Sequence, residues 1–120
     1  MGDYELHNEE IAVCIALLGA ELKSLKDIHS GREYMWSGDP AFWKRVSPVL
    51  FPLVGNYRNK QAVYEGKAYP LSQHGFARDR EFTLVSQTDE EAWFARGIRR
   101  DNQECYPFDF RLELGYRLSG

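Results

Sequence analysis

Cysteine is scarce in this chain of 120 residues, which has only Cys14 and Cys105. They are far apart and form no CxxC pair, so neither a zinc knuckle nor a disulfide framework is indicated, and both read as free thiols, Cys14 buried. Long apolar runs are lacking as well. The longest, Ile11 to Leu18, falls well short of the roughly 20 residues a membrane-spanning helix needs. There is no excess of positive charge: 15 Lys and Arg stand against 18 Asp and Glu, a formal net charge of −3. Clustered cations for a nucleic-acid backbone or an anionic membrane are therefore missing, and neither partner is expected. The acidic start, Met1-Gly2-Asp3-Tyr4-Glu5-Leu6, has no basic signal-peptide region, which makes a cytoplasmic location the expectation. No glycine-rich phosphate loop, GxSxG elbow or HExxH pattern occurs. His7, His29 and His74 are too scattered to suggest a metal site.

What is present is an ordinary globular balance, 43% hydrophobic and 28% charged, too apolar for intrinsic disorder. Aromatic residues, 3 Trp, 7 Tyr and 7 Phe, are spread along the chain. That distribution favours strands, and aromatic faces also suit the apolar faces of a pyranose. No repeat or low-complexity linker divides the chain, so residues 1–120 read as a single domain.

Ile11, Val13, Ile15 and Leu17 alternate with smaller residues between Glu10 and Leu18, the period of a strand buried on both faces, with a helix as the competing reading. A second strand is expected over Ala20–Lys26 and a short third over Glu33–Trp36, making an opening β-meander. From Val46 to Gly55, Pro48 and Pro52 interrupt a very apolar run. Such a segment must be extended and buried without full ladder pairing. A hairpin follows around Glu65-Gly66-Lys67, with Tyr64 and Tyr69 on its arms. Strands are expected again at Glu81–Val85 and Glu90–Arg96, although Thr88-Asp89-Glu90-Glu91 also fits a helix capping box. The last segment alternates Phe108, Phe110, Leu112, Leu114, Tyr116 and Leu118 with polar residues, a half-buried strand.

Two groups of residues carry candidate chemistry. His74 and Arg78 are four apart around Gly75, which allows close backbone approach, and imidazole and guanidinium together can hold a hydroxyl or carbonyl oxygen. On composition alone, a histidine in such a loop reads first as a surface or hydrogen-bonded structural residue. Arg58 and Lys60, beside Asn56 and Asn59, follow the proline-containing wall, where they could bind a sugar hydroxyl, bind a phosphate if they converge with Arg78, or form a solvated turn. Arg96, Arg99 and Arg100 near Asp101 and Glu104 read as surface charge.

Four segments taken in order resemble the N-terminal part of the aldose 1-epimerase (galactose mutarotase) family, in its LacX-like branch: Ser47–Gly55, Tyr64–Tyr69, Gln73–Phe82 and Tyr106–Phe110. The resemblance implies an all-β fold, the N-terminal portion of an antiparallel β-supersandwich of the galactose mutarotase type. It also implies interconversion of the α and β anomers of a free aldohexose, with no metal or organic cofactor. In that mechanism a carboxylate takes the anomeric hydroxyl proton while an imidazolium protonates the ring oxygen. By motif position His74 corresponds to a histidine that holds ring or C1 oxygens, Arg78 to its partner, and Arg58 or Lys60 to a substrate-contacting basic position. The family's catalytic histidine and glutamate lie beyond Gly120, so no catalytic residue is assigned here. The expectation is an incomplete N-terminal part of a larger domain, inactive alone and prone to self-association through exposed sheet edges. A hexose-6-phosphate 1-epimerase, a non-catalytic carbohydrate-binding module and a strand-adding interaction role stand as alternatives.

Overall fold

The alternation read from the sequence appears in the computed structural model, which describes residues 3–56, 58–96 and 110–119, as eight antiparallel strands. β1 (Asp3–His7), β2 (Ile11–Ala16) and β3 (Glu21–Asp27) form one sheet in that order. β4 (Gln61–Tyr64) and β5 (Lys67–Pro70) form a hairpin, and β6 (Thr83–Gln87), β7 (Glu91–Arg96) and β8 (Leu112–Arg117) form a second three-stranded sheet.

The inward residues of the two larger sheets meet in one core. Leu6, Val13 and Ile15 from the first pack with Ala92 and Phe94 from the second, joined by Ala20, Ala77 and Phe82. The Tyr4 ring lies 5.9 Å from that of Phe94. Polar ties flank this apolar contact: the His7 amide donates to the Asp89 carbonyl at 2.8 Å, and the Phe82 amide to Leu17 at 2.8 Å. The Tyr116 hydroxyl donates to the Ala20 carbonyl at 2.7 Å. Burial and the nearby Glu21 carboxylate push the Tyr116 phenol above its ordinary value, which keeps it a donor.

Several expectations need correction. β1 was not anticipated: its residues alternate, but only Leu6 is buried and Asp3, Glu5 and His7 face solvent. β2 is a strand rather than a helix, yet full burial is confined to Val13 and Ile15, and Cys14 is half-buried instead of buried. The expected strand at Glu33–Trp36 reduces to one bridge between Glu33 and Lys26. There the Glu33 carboxylate accepts the Leu25 and Met35 amides and the Ser24 hydroxyl, so a side chain takes up hydrogen bonds that a continuing ladder would use.

At the candidate capping box the strand wins. Thr88 Oγ1 accepts the Glu90 and Glu91 amides at 3.3 and 3.1 Å, while the Thr88 amide donates to the Glu91 carbonyl at 2.7 Å, closing a hairpin between β6 and β7. The same side-chain capping chemistry that starts helices thus serves a turn. Glu65 and Gly66, with φ of 50° and 78°, turn the β4–β5 hairpin as expected. The alternating C-terminal segment forms β8, with Leu112, Leu114 and Tyr116 half-buried against the core. Phe108, Cys105 and the cluster of Arg99, Arg100, Asp101 and Glu104 lie outside the described residues.

Candidate functional site

The apolar wall of residues 46–55 runs extended without becoming a strand, because Pro48 and Pro52 have no amide hydrogen to give a ladder. Its one β contact is a parallel bridge from Phe51 to Gly75. Around that bridge the Phe51 carbonyl accepts the amides of Phe76 and Ala77, at 2.9 and 3.1 Å. The loop carrying His74 is therefore fastened to the wall by backbone bonds. His74 and Gly75 both adopt positive φ, 63° and 79°, and a Cβ on Gly75 would collide with the Phe51 carbonyl. Behind the junction, the rings of Phe51, Phe76 and Phe110 pack with centroids 5.2 to 6.2 Å apart.

His74 is held at two points. Its amide donates to the Gly55 carbonyl at 2.8 Å, and its Nδ1 accepts the Gly55 amide at 2.8 Å. With Nδ1 used as an acceptor, the neutral ring carries its proton on Nε2, so that edge is a donor. Arg78 sits in a short 3-10 turn, Ala77–Asp79. One Nη donates to the Gln73 carbonyl at 3.0 Å, while its Nε is buried and has no hydrogen-bond partner among the described residues. Buried donors are nearly always satisfied, so this one marks a place where a water or a further protein group fits.

His74 and Arg78 line one cleft of about 450 Å³, together with Trp43, Ser47, Pro48 and Gln73. No carboxylate lines it among the described residues. The cleft can bind oxygens through donors and offers an aromatic edge at Trp43, but among the described residues it supplies no carboxylate base. Arg45 steadies this region: its guanidinium pairs with Asp79 at 2.9 Å, linking the loop before the wall to the turn that bears Arg78.

Arg58 and Lys60 do not join this group. They lie on an exposed turn, Arg58–Lys60, where Asn59 and Lys60 have φ of 57° and 53°. Lys60 instead lines a neighbouring hollow of about 460 Å³ with Leu71, Ser72, Phe76, Asp79 and Arg80, and Arg58 lines neither. The convergence of Arg58, Lys60 and Arg78 that would mark a phosphate site is not found among the described residues. Of the aromatic residues a bound sugar could stack on, Trp43, Tyr57 and Phe76, Trp43 lines the cleft and is about half exposed, Phe76 is buried, and Tyr57 lies outside the described residues.

Sequence reasoning passed over Arg45 and Glu21. The Glu21 carboxylate accepts the amides of Val46 and Ser47 at 2.7 and 3.0 Å. The available signal was a lone acid directly after the apolar Gly19-Ala20 turn. Among the described residues no group of three or more His, Cys, Asp or Glu is placed to hold a metal ion, and no helix is long and apolar enough to cross a membrane.

Comparison with known proteins matches this architecture over nearly the whole chain. The plasmid-encoded LacX protein of Lactococcus lactis subsp. lactis is 36% identical across 97% of this chain, which spans 40% of that protein's length. A galactose mutarotase related enzyme from Lactobacillus acidophilus superimposes with a TM-score of 0.95 at 40% identity, covering 98% of this chain and 39% of that one. A galactose mutarotase-like protein from Lactobacillus casei gives 0.94 at 36% identity, covering 98% and 40%. The chain thus spans about two fifths of the length of the relatives it matches. The family model for aldose 1-epimerase matches residues 2–120, and the chain belongs to that family.

Proposed function

We propose that this chain is the N-terminal, sugar-holding part of an aldose 1-epimerase that interconverts the α and β anomers of a free aldohexose. The observation that carries this reading is the cleft itself, where the His74 ring, turned by Gly55 so that Nε2 is the donor, shares a wall with the Arg78 guanidinium. Two donors on one wall suit the ring and C1 oxygens of a pyranose, and Trp43 provides a surface for its apolar face. Donors of this kind, one an imidazole N–H and one a guanidinium, stabilise oxygen as the ring opens and closes.

The proton transfers need a carboxylate and an imidazolium, and the described lining of the cleft holds no carboxylate. In this reading the acid and base come from a downstream segment, and residues 1–120 contribute His74 and Arg78 as substrate-binding groups. Lys60, which lines the neighbouring hollow, is kept as an outer contact to an entering sugar, with Arg58 on the same exposed turn as its flanking cation. A radius of gyration of 16.5 Å, against about 14 Å for a closed domain of this length, supports an N-terminal part that packs against further structure. β8 has no described strand on its far side, which supports self-association when the chain stands alone. A cytoplasmic location belongs to the same proposal.

The lack of a described carboxylate in the cleft equally favours a second reading, a sugar-binding module without catalysis. The separation of Lys60 from Arg78 weighs against a sugar-phosphate substrate. Polarimetric decay of fresh α-D-glucose and α-D-galactose, followed with this chain and with any longer product of its reading frame, tests the proposal. Accelerated decay with the longer product, and sugar binding without acceleration by the short one, is the expected result. A longer product that neither binds nor interconverts either sugar would overturn it, and binding by both forms with turnover by neither would favour the module.

A further inference from the structure

Glu21 is the buried charged residue of the described chain, at 5% exposure. Burying a carboxylate is unfavourable unless its oxygens are well bonded, so its partners reveal what it is for. They are the Val46 and Ser47 amides, at 2.7 and 3.0 Å, with the Lys23 ammonium 3.9 Å away. Val46 and Ser47 both line the cleft that holds His74 and Arg78. The Ser47 hydroxyl adds a third link, donating to the Leu22 carbonyl at 2.7 Å.

The same short segment also reaches the opposite wall. The Gly19 amide donates to the Arg80 carbonyl at 2.7 Å. Gly19 lies so close to Arg78 that an added Cβ would stand 2.8 Å from the Arg78 carbonyl oxygen. Residues 19–22 therefore touch both the Val46–Ser47 end of the wall and the turn that bears Arg78. The loop between Glu33 and Phe51 has no strand of its own, and Pro48 has no amide to donate. The Phe51 and Gly55 bonds to the His74 loop hold the far end of the wall and Arg45–Asp79 ties the loop before it; the three bonds from Glu21 and Leu22 hold its Val46–Ser47 end.

We infer that Glu21 is a positioning residue, which sets the width of the sugar cleft by clamping the Val46–Ser47 backbone at a fixed distance from Arg78. It touches no ligand itself. An apolar residue of similar size could fill its place in the core but would leave two half-buried amides unpaired and free the wall to shift. This inference rests on the sugar-binding reading of the cleft.

The test compares wild type, Glu21→Ala and Glu21→Gln for D-galactose and D-glucose binding by NMR titration, with hydrogen exchange of the Val46 and Ser47 amides measured on the same samples. In Glu21→Ala, sugar affinity is expected to fall by about tenfold or more, with fast exchange confined to those two amides. Glu21→Gln, whose amide oxygen can still accept both bonds, is expected to restore affinity to within about threefold of wild type. In a catalytically active longer product, Glu21→Ala should raise KM and leave kcat nearly unchanged. If Glu21→Ala fails to fold, Ser47→Ala removes only the third link and should still weaken binding. Unchanged affinity in whichever of these two variants folds, or equal loss in Glu21→Gln and Glu21→Ala, would overturn the positioning role while leaving the sugar site standing. A wild-type chain that binds neither sugar would instead remove the proposed function beneath it.

Discussion

His74 and Gly55 bind each other twice, the His74 amide giving to the Gly55 carbonyl and the Gly55 amide giving to His74 Nδ1, each at 2.8 Å. One residue thereby joins the wall to the loop and presents a protonated Nε2, so a structural and a ligand-binding role coexist in a single ring. Removing the ring affects both, which makes alanine alone a poor discriminator. His74→Ala should lose sugar binding and, by leaving the half-buried Gly55 amide unpaired at a position with positive φ, also lose about 1–3 kcal/mol of stability. Asparagine tolerates positive φ and offers an acceptor oxygen. His74→Asn should therefore recover part of the urea midpoint but none of the binding. Wild-type affinity in His74→Asn would show that the ring is structural only.

Gly75 and Gly66 have nearly the same backbone angle, φ of 79° and 78°, in opposite surroundings. A Cβ on Gly66 meets nothing within 4 Å, whereas one on Gly75 runs into the Phe51 carbonyl and the Pro52 ring. Gly66→Ala should cost only backbone strain, about 1 kcal/mol. Gly75→Ala must push the wall away from the His74 loop, and a loss of more than about 3 kcal/mol, or failure to fold, is expected. Urea unfolding of the two variants side by side checks this, and equal midpoints would mean that the Phe51–Gly75 contact is not what holds the wall.

These contacts explain which parts of the molecule were legible beforehand. Alternation disclosed β2 and β8 because one face of each meets the core, partial alternation disclosed β6, and Glu65-Gly66 disclosed its hairpin through turn chemistry, whereas β7 competed with a helix at its capping box. β1 escaped notice because a strand whose outward residues are Asp3, Glu5 and His7 needs only Tyr4 and Leu6 to pack. Glu33 misled in the other direction: Tyr34, Met35 and Trp36 have strand-forming side chains, but the carboxylate before them bonds to the edge of β3. At the site, His74 and Arg78 were recognisable as local neighbours. Lys60 and Arg78 are also near in sequence order, yet the turn at Asn59 and the hairpin β4–β5 send them to separate hollows. Glu21 was invisible because its partners, Val46 and Ser47, are backbone amides 25 and 26 residues away.

Acid should weaken the first sheet before the core is affected. Glu33 is held below its ordinary value by the Ser24 hydroxyl first and then by the Leu25 and Met35 amides. Asp27 is held down chiefly by the His29 amide and the Ser30 hydroxyl. A carboxylate whose folded-state value is depressed adds stability above its unfolded value, and that addition is lost as pH falls through the folded one. The urea midpoint should therefore drop as pH falls from about 5 toward 2. Glu33→Gln should flatten that drop. Both groups are exposed, so the effect is modest, and an identical pH profile in Glu33→Gln would dissociate Glu33 from it.

Cys14 should be a slow nucleophile. Half-burial is the largest influence raising its thiol above the ordinary value, followed by the carboxylates of Asp3, Glu5 and Glu33. Each of these disfavours the thiolate, which is the reactive form. Two of the acids belong to β1, where Glu5 is the direct partner of Cys14 in the ladder and an Asp3 carboxylate oxygen lies 4.0 Å from the sulfur. Alkylation of Cys14 thus reports whether β1 is in place. In a Cys105→Ser background at pH 8, iodoacetamide should modify Cys14 about tenfold or more slowly than free cysteine. Asp3→Asn should speed the reaction by removing a nearby charge, and urea below the unfolding midpoint should speed it further if β1 leaves before the core opens. A rate equal to that of free cysteine in the native protein would mean that β1 does not shield this thiol in solution, and the first sheet would then begin at β2.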